Sequence, residues 1–334
     1  MDADKAGRTS VNRRLFGGDG FEMNFFVGVT DNNWFNFLAN SRPDEVNFWR
    51  PGGGQAFKAI EANDLFLFKL HSPLNFIAGG GFFVRYVSLP VSLAWEAFGN
   101  KNGTGDYHSF LNAIHKYRKT DQRSEPDPVI GCIILASPFF FNQNEWIPVP
   151  EDWSPNIVQG KTYDTCTLTG RRLYQQVQER LNRSVSAYNA SCIVCEDNAA
   201  NRYGTGQIVY PRIGQGTFKV LVTEAYHRRC AVTGEKTLPA LEASHIKPYS
   251  MGGPHSITNG LLLRKDLHAL FDRGYITIGE DLHIEVSKRI KEDYGNGREY
   301  YAYHGKKLAV IPDTVYERPD PNFLRWHNEN VFLP

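Results

Sequence analysis

The chain has no run of 18 apolar residues, so no segment reads as a membrane span. Its first residues, MDADKAGRTSVNRR, lack an apolar core and do not read as a secretory signal. Bulk basicity is missing as well. Lys and Arg number 37 against 36 Asp and Glu, a net charge of +1, so any surface for a polyanion has to be local. Cysteine is scarce. The five (Cys132, Cys166, Cys192, Cys195 and Cys230) are odd in number and lack framework spacing, which reads as reduced thiols in a cytoplasmic protein. No internal repeat or low-complexity tract is visible. What is plentiful is aromatic: 22 Phe, 16 Tyr and 6 Trp make up 13% of 334 residues. That length exceeds one ordinary core and predicts two main domains.

Residues 1–22 are polar and aperiodic and read as a disordered leader. Strand runs follow at 24–30, 46–49, 65–71, 76–89 and 129–141, interleaved with helix signals at 92–99 and 106–118. The triplet Gly79-Gly80-Gly81 inside a strand predicts a bulge or the close approach of another backbone. Residues 23–160 are therefore expected to form a strand-rich domain. A helical connector is expected over 161–205, opened by a helix at 169–183, and a second domain over 206–334. The overall class is α+β.

The second domain holds CAVTGEKTLPALEASHIKPYSMGGPHSITNGLLLRKDLHALFDRGY, residues 230–275. PALEASHIKP reads as a strand stopped by Pro. SMGGPHS reads as a loop and ITNGLLL as a second strand. RKDLHALFDRG reads as a helix closed by Gly274. Strand, loop, strand and helix make a ββα unit with His245 on a strand and His268 on the facing helix. A single-metal nuclease needs a base, a group to hold the base, and a metal ligand. His245, Asn259 and His268 supply those three types. Histidine has the unperturbed pKa suited to deprotonating water near neutrality. An asparagine amide can hold an imidazole by a hydrogen bond. A divalent ion can meet charge developing on phosphate oxygens. His268 and Asp272 are four apart and share one helical face, where both can grip one ion. Lys247, Arg264, Lys265 and Arg273 offer charge to a phosphate backbone. His255, in the loop, reads as a solvated residue.

This stretch resembles the HNH (ββα-metal) nuclease family. More closely, QGTFKVLVTEAYHRRCAVTG, LEASHIKP and NGLLLRKDLHALFDRGY resemble bacterial restriction endonucleases of that family. The resemblance covers about residues 206–334. It implies His245 as general base, Asn259 as the orienting residue and His268 as ligand to a divalent ion (Mg²⁺, or Mn²⁺, Co²⁺ or Ni²⁺). It also implies products with 5′-phosphate and 3′-hydroxyl ends. Two departures stand out. Ser244 occupies the place where many relatives carry an Asp or His ligand, so Asp272, Glu242 or water would have to complete the shell. The paired Cys-x-x-Cys knuckles of many relatives are broken, since Thr233 stands three positions after Cys230. Cys192 and Cys195 have knuckle spacing but no visible second pair, so a structural zinc is not expected.

The first domain, with NDLFLFKLHS followed by FIAGGGFFVRY, resembles the PUA-like superfamily of curved β-barrels, which includes SRA, EVE and YTH domains. That resemblance implies a pocket for a flipped, modified base, for which Asn32, Trp34, Asn47, Trp49 and Trp95 are the candidates. Together the halves imply a modification-dependent restriction endonuclease acting on double-stranded DNA with modified cytosine. A homodimer would cut both strands. The alternatives are a restriction enzyme reading an unmodified sequence or a backbone modification such as phosphorothioate, and a DNA-binding sensor whose nuclease fold is dead.

Overall fold

The computed structural model describes residues 23–192, except 122, and 213–334. The expected leader and the second cysteine of the Cys192–Cys195 pair lie outside the described residues, as does the side chain of the first. Within the N-terminal part the chain forms β1 (Asn24–Thr30), α1 (Asn32–Ser41), β2 (Glu45–Arg50), β3 (Leu65–Leu70), β4 (Phe76–Pro90), α2 (Val91–Phe98), α3 (Tyr107–Arg118), β5 (Val129–Phe140), β6 (Ile147–Pro148) and β7 (Gly160–Asp164), then α4 (Leu168–Cys192). The local reasons are visible in the sequence. Asp31 caps α1 by accepting from the backbone N–H groups of Asn33 and Trp34. Asp106 caps α3 by accepting from Ser109. β3 is LFLFKL, buried at every position, as a strand covered on both faces must be.

The described chain divides into two compact units that do not follow chain order. One takes residues 23–35, 58–83 and 139–192. In it β1 pairs parallel with β3 and antiparallel with β7, and β3 pairs antiparallel with β4. Its core gathers Phe25, Val27, Leu65, Leu67, Ile77, Phe141, Tyr163 and Val177. The β3–β4 register shifts at Phe68 and Lys69, the irregularity that the glycine run predicts. A Cβ on Gly79 would stand 2.3 Å from the carbonyl oxygen of Phe139, so the strand approaches another backbone there.

The other unit takes residues 36–57, 84–138 and 213–334. Here β2 pairs antiparallel with β5, which neighbours β4. A core of Val87, Leu89, Val91, Phe98, Phe110, Ile114, Ile130 and Ile134 lies against them, with Val220. The expected curved barrel is not found closed. Closure needs the two ends of a strand path to pair. Among the described strands β7 and β2 end their paths, and the two-residue β6 pairs off the path with β4. The observed class is α+β with open, mixed sheets.

The remainder of this second unit is α5 (Gln215–Ala225), β8 (Leu241–His245), β9 (Gly260–Arg264), α6 (Lys265–Asp272), β10 (Ile276–Ile278), β11 (Ile284–Val286), α7 (Arg289–Tyr294), α8 (Arg298–Tyr301) and α9 (Pro321–Asn330). β8 and β9 form an antiparallel pair that sets His245 opposite Gly260, and β10 and β11 pair antiparallel after it. Phe218, Val222, Tyr226, Leu261, Leu263, Leu267, Phe271 and Ile276 are buried in a core of their own. No helix of the described residues is long and apolar enough to cross a membrane.

Candidate active site

The ββα unit appears as β8, β9 and α6. Leu267 and Phe271, four apart, are buried, and this turns His268 and Asp272 on the neighbouring stripe toward β8. His268 sits between two carboxylates. Its Nδ1 is 2.9 Å from Glu242 Oε2, and its Nε2 is 3.2 Å from Asp272 Oδ2. Burial works against charging this imidazole, but Asp272 and Glu242 outweigh it and hold the pKa above its ordinary value. Glu242, His245, His268 and Asp272 line one cleft of about 510 Å³, together with Lys219 and Thr223 of α5 and Tyr249.

His245 is half-buried under an aromatic lid. Phe218 of α5 stacks on it face to face, 3.8 Å between centroids at 11°. Its Nε2 lies 3.0 Å from Nδ1 of His255. Burial, the largest cause, and the neighbouring His255 push its pKa down to about 4, while Asp272 works against them. It is therefore neutral at neutral pH, the state a general base requires.

Asn259 is fully buried immediately before β9, and its bonds go to backbone. Its Oδ1 accepts from Lys247 N, and its Nδ2 donates to the carbonyls of Lys247 and Pro254. The expected direct hold on the His245 imidazole is replaced by a staple across the loop from 247 to 254. Gly253 is required by that staple, because a Cβ there would stand 1.9 Å from the carbonyl oxygen of Lys247. Ser244 is fully buried, with its hydroxyl 3.4 Å from the carbonyl of His245, and it does not line the cleft.

Against known proteins, residues 230–279 match the model of the HNH endonuclease family. This segment is an HNH endonuclease domain. No curated protein matches the chain. Among solved structures, a mutant of the ASCH protein from Zymomonas mobilis is 9% identical, with 36% of this chain and 76% of that one covered at a TM-score of 0.25. A structure described as the modification dependent TagI restriction endonuclease is 14% identical, with 86% of this chain and 75% of that one covered, also at 0.25.

Around the HNH domain the expected phosphate contacts are differently engaged. Arg264 forks onto Asp266 at 2.9 and 2.5 Å and reaches Glu299 at 3.4 Å. Lys265 stands 4.0 Å from Glu242, and Lys247 lies over the ring of Trp326. Arg273 is exposed at the C-terminal end of α6. The candidate base-reading residues fall into two groups. In the first unit Trp34 is buried edge-on against Phe68, and Asn32 Oδ1 accepts from His71 N. In the second unit Asn47, Trp49 and Trp95 come together. Asn47 donates to Asn102 Oδ1 and Cys132 Sγ, Trp49 Nε1 donates to the Asn102 carbonyl, and both tryptophans pack on Phe110. Asn47 Oδ1 is buried without a hydrogen-bond partner among the described residues.

Two histidines of this unit tie its stability to pH. His327 stacks on Phe271 and donates from Nε2 to the Phe271 carbonyl, and burial pushes it down to about 4, as it does His245. Between the ordinary 6.5 and 4 the unfolded chain binds more protons at these two positions than the folded one. Stability therefore rises with pH across that window. It is fully present above about pH 6.5 and lost as pH falls toward about 4. Urea midpoints taken from pH 7.5 to 4 should decline through this window, and the decline should shrink in His327→Gln. A flat profile would contradict it.

Proposed function

We propose that the chain is a modification-dependent DNA endonuclease, in which the HNH domain hydrolyses phosphodiester bonds with a divalent ion. The observation that carries the nuclease part is the convergence of His245, His268 and Asp272 on one cleft inside a segment matched to HNH endonucleases. His245, neutral and with its Nε2 engaged, takes the proton of the attacking water. The donor set fits a divalent ion with an open shell. His268 Nε2 and the Asp272 carboxylate already stand 3.2 Å apart, while Glu242 takes the other ring nitrogen and fixes the tautomer. Among the described residues no three histidine, cysteine or carboxylate side chains form a ready metal cluster. Water and phosphate oxygens would complete the shell, as hard cations with few protein ligands allow. The ion would supply positive charge for the oxygens that become anionic in cleavage.

The reading of a modified base rests on the Asn47, Trp49 and Trp95 cluster. It combines two tryptophan rings with a wholly buried amide oxygen in want of a donor, groups of the kind that read a flipped base. On this reading the strand-rich part is a PUA-like reader with an open sheet, and a homodimer cuts both strands. The test is cleavage of matched DNAs carrying cytosine, 5-methylcytosine, 5-hydroxymethylcytosine or its glucosylated form, with Mg²⁺, Mn²⁺, Co²⁺ or Ni²⁺ and with chelator. Cleavage confined to one modified DNA and abolished by chelator is expected. Equal cutting of all four would sink the modified-base reading and favour recognition of an unmodified sequence. Cutting of none of the four but of a fifth, phosphorothioate-modified DNA would favour a backbone reader. Binding without cutting under every metal would leave a sensor with a dead nuclease fold.

A further inference from the structure

The loop between β8 and β9 delivers a second histidine to the first. His255 follows Gly252-Gly253-Pro254, and its position is set twice over. Asn259 staples Lys247 to Pro254 at 2.9 Å on each side, and Gly253 N donates to the Pro248 carbonyl. Tyr249 then stacks on the His255 ring, 4.4 Å between centroids and 6° from parallel. The His245 ring is fixed from another element by the Phe218 stack. Two imidazoles whose planes are held by separate aromatic partners meet nitrogen to nitrogen at 3.0 Å. Such a bond accommodates one proton, so one ring donates and the other accepts.

We propose that His255 is the positioning residue for His245, accepting at Nδ1 the proton that His245 carries on Nε2 and so leaving the lone pair on His245 Nδ1 for the water. This rests on the nuclease reading of the HNH domain. The direction of the bond follows from the task. Nε2 of His245 is occupied by His255, so Nδ1 is the nitrogen left to act, and a base needs its lone pair there. When His245 takes the proton of water, its charge is delocalised onto an N–H already directed at a neutral acceptor. Orienting partners of this kind are typically worth about 10- to 100-fold in activity. The charged groups that act on His255 are Glu45, Asp44 and Lys101, and the titratable groups that act on His245 are His255, Asp272 and His268.

Two substitutions separate the hydrogen bond from the packing. His255→Phe keeps a ring on Tyr249 and removes the acceptor. His255→Asn removes the ring and offers a carbonyl oxygen near the place of Nδ1. The first readout is independent of cleavage: ¹⁵N spectra of histidine-labelled full-length protein report which nitrogen of His245 is protonated. The wild type should show His245 protonated at Nε2, with that proton protected from exchange. The signature should persist in H255N and disappear in H255F. The second readout is the single-turnover rate with DNA and Mg²⁺ or Mn²⁺, beside the Kd for DNA. H255F should lose about 10- to 100-fold in rate at unchanged Kd, and H255N should recover at least tenfold of that. A wild-type His245 protonated at Nδ1 overturns the proposal before any variant is made. So does an H255F protein that keeps both signature and rate. If the signature behaves as stated and even the wild type cuts no DNA with any divalent metal, the positioning stands and the nuclease reading falls.

Discussion

Replacing His245 by Ala should lower the single-turnover rate of DNA cleavage by about 10² to 10⁴, the usual worth of a positioned base, with the Kd for DNA within about twofold of wild type. The side chain stands at the last residue of β8, where the strand ends, and is half-buried rather than part of the packed interior. Removing it opens a slot beneath Phe218 without unseating β8, whose ladder to β9 is made by backbone. Affinity should hold because, on the proposed reading, the charge offered to a phosphate backbone lies on other residues, Lys247, Lys265 and Arg273 among them. The slot has a flat aromatic wall, so added imidazole should enter it and return part of the rate. That rescue separates a missing base from a distorted fold. A rate within threefold of wild type would remove His245 from the role of base. A melting temperature lowered by more than a few degrees would show that the loss was structural.

The site was legible in the sequence where periodicity speaks. A strand ending at Pro248 and a helix carrying His268 and Asp272 four apart were enough to predict His245 and that pair in one cleft. The burial of Ser244 is not periodicity's to tell: strand alternation groups it with Glu242, which lines the cleft, so packing withdraws it. The partners of Asn259 could not be read, because they are backbone groups of a loop whose path no pattern encodes. His255 reads as a solvated loop residue for the same reason: its contact with His245 exists only once Asn259 and Tyr249 have fixed the loop. The β-barrel expectation erred at closure, a property of how path ends meet rather than of any one strand. Asn47, Trp49 and Trp95 were chosen by residue type; what joins the first two is Asn102, and what joins the two tryptophans is Phe110, residues with no signal of their own.

Replacing Glu45 by Ala should cost about 3 kcal/mol of stability and slow cleavage as well, although Glu45 is 171 positions before Gly216, the first residue it caps. α5 begins after Gly214, which has no side chain to cap it. Its first-turn N–H groups, which have no partner within the helix, are met instead by the Glu45 carboxylate, which accepts from Gly216 N at 2.8 Å, Thr217 N at 2.9 Å and the Thr217 hydroxyl. Lys101 closes the arrangement at 2.9 Å, and the carboxylate is wholly buried. A Cβ on Gly216 would stand 2.5 Å from the Ala97 carbonyl and 2.9 Å from Glu45, so glycine is what lets helix and carboxylate meet. Without Glu45 two buried N–H groups lose their acceptors, at about 1–3 kcal/mol each before relaxation. Glu45→Gln keeps the volume but turns one donor toward another donor, so it should retain less than half of the stabilisation. The effect reaches the chemistry through Phe218, in the first turn of α5 and stacked on His245. Glu45 also shares one face of β2 with Asn47 and Trp49 at alternate positions, and Lys101 and Asn102, which bond to that face, are adjacent. The proposed reader and the base are thus braced by one carboxylate, and slackening it should shrink the ratio of cleavage rates on modified and unmodified DNA as well as the rate itself. Urea midpoints and paired single-turnover rates for Glu45→Ala and Glu45→Gln measure both effects. Wild-type midpoints in both variants would show that α5 is held by its apolar face alone.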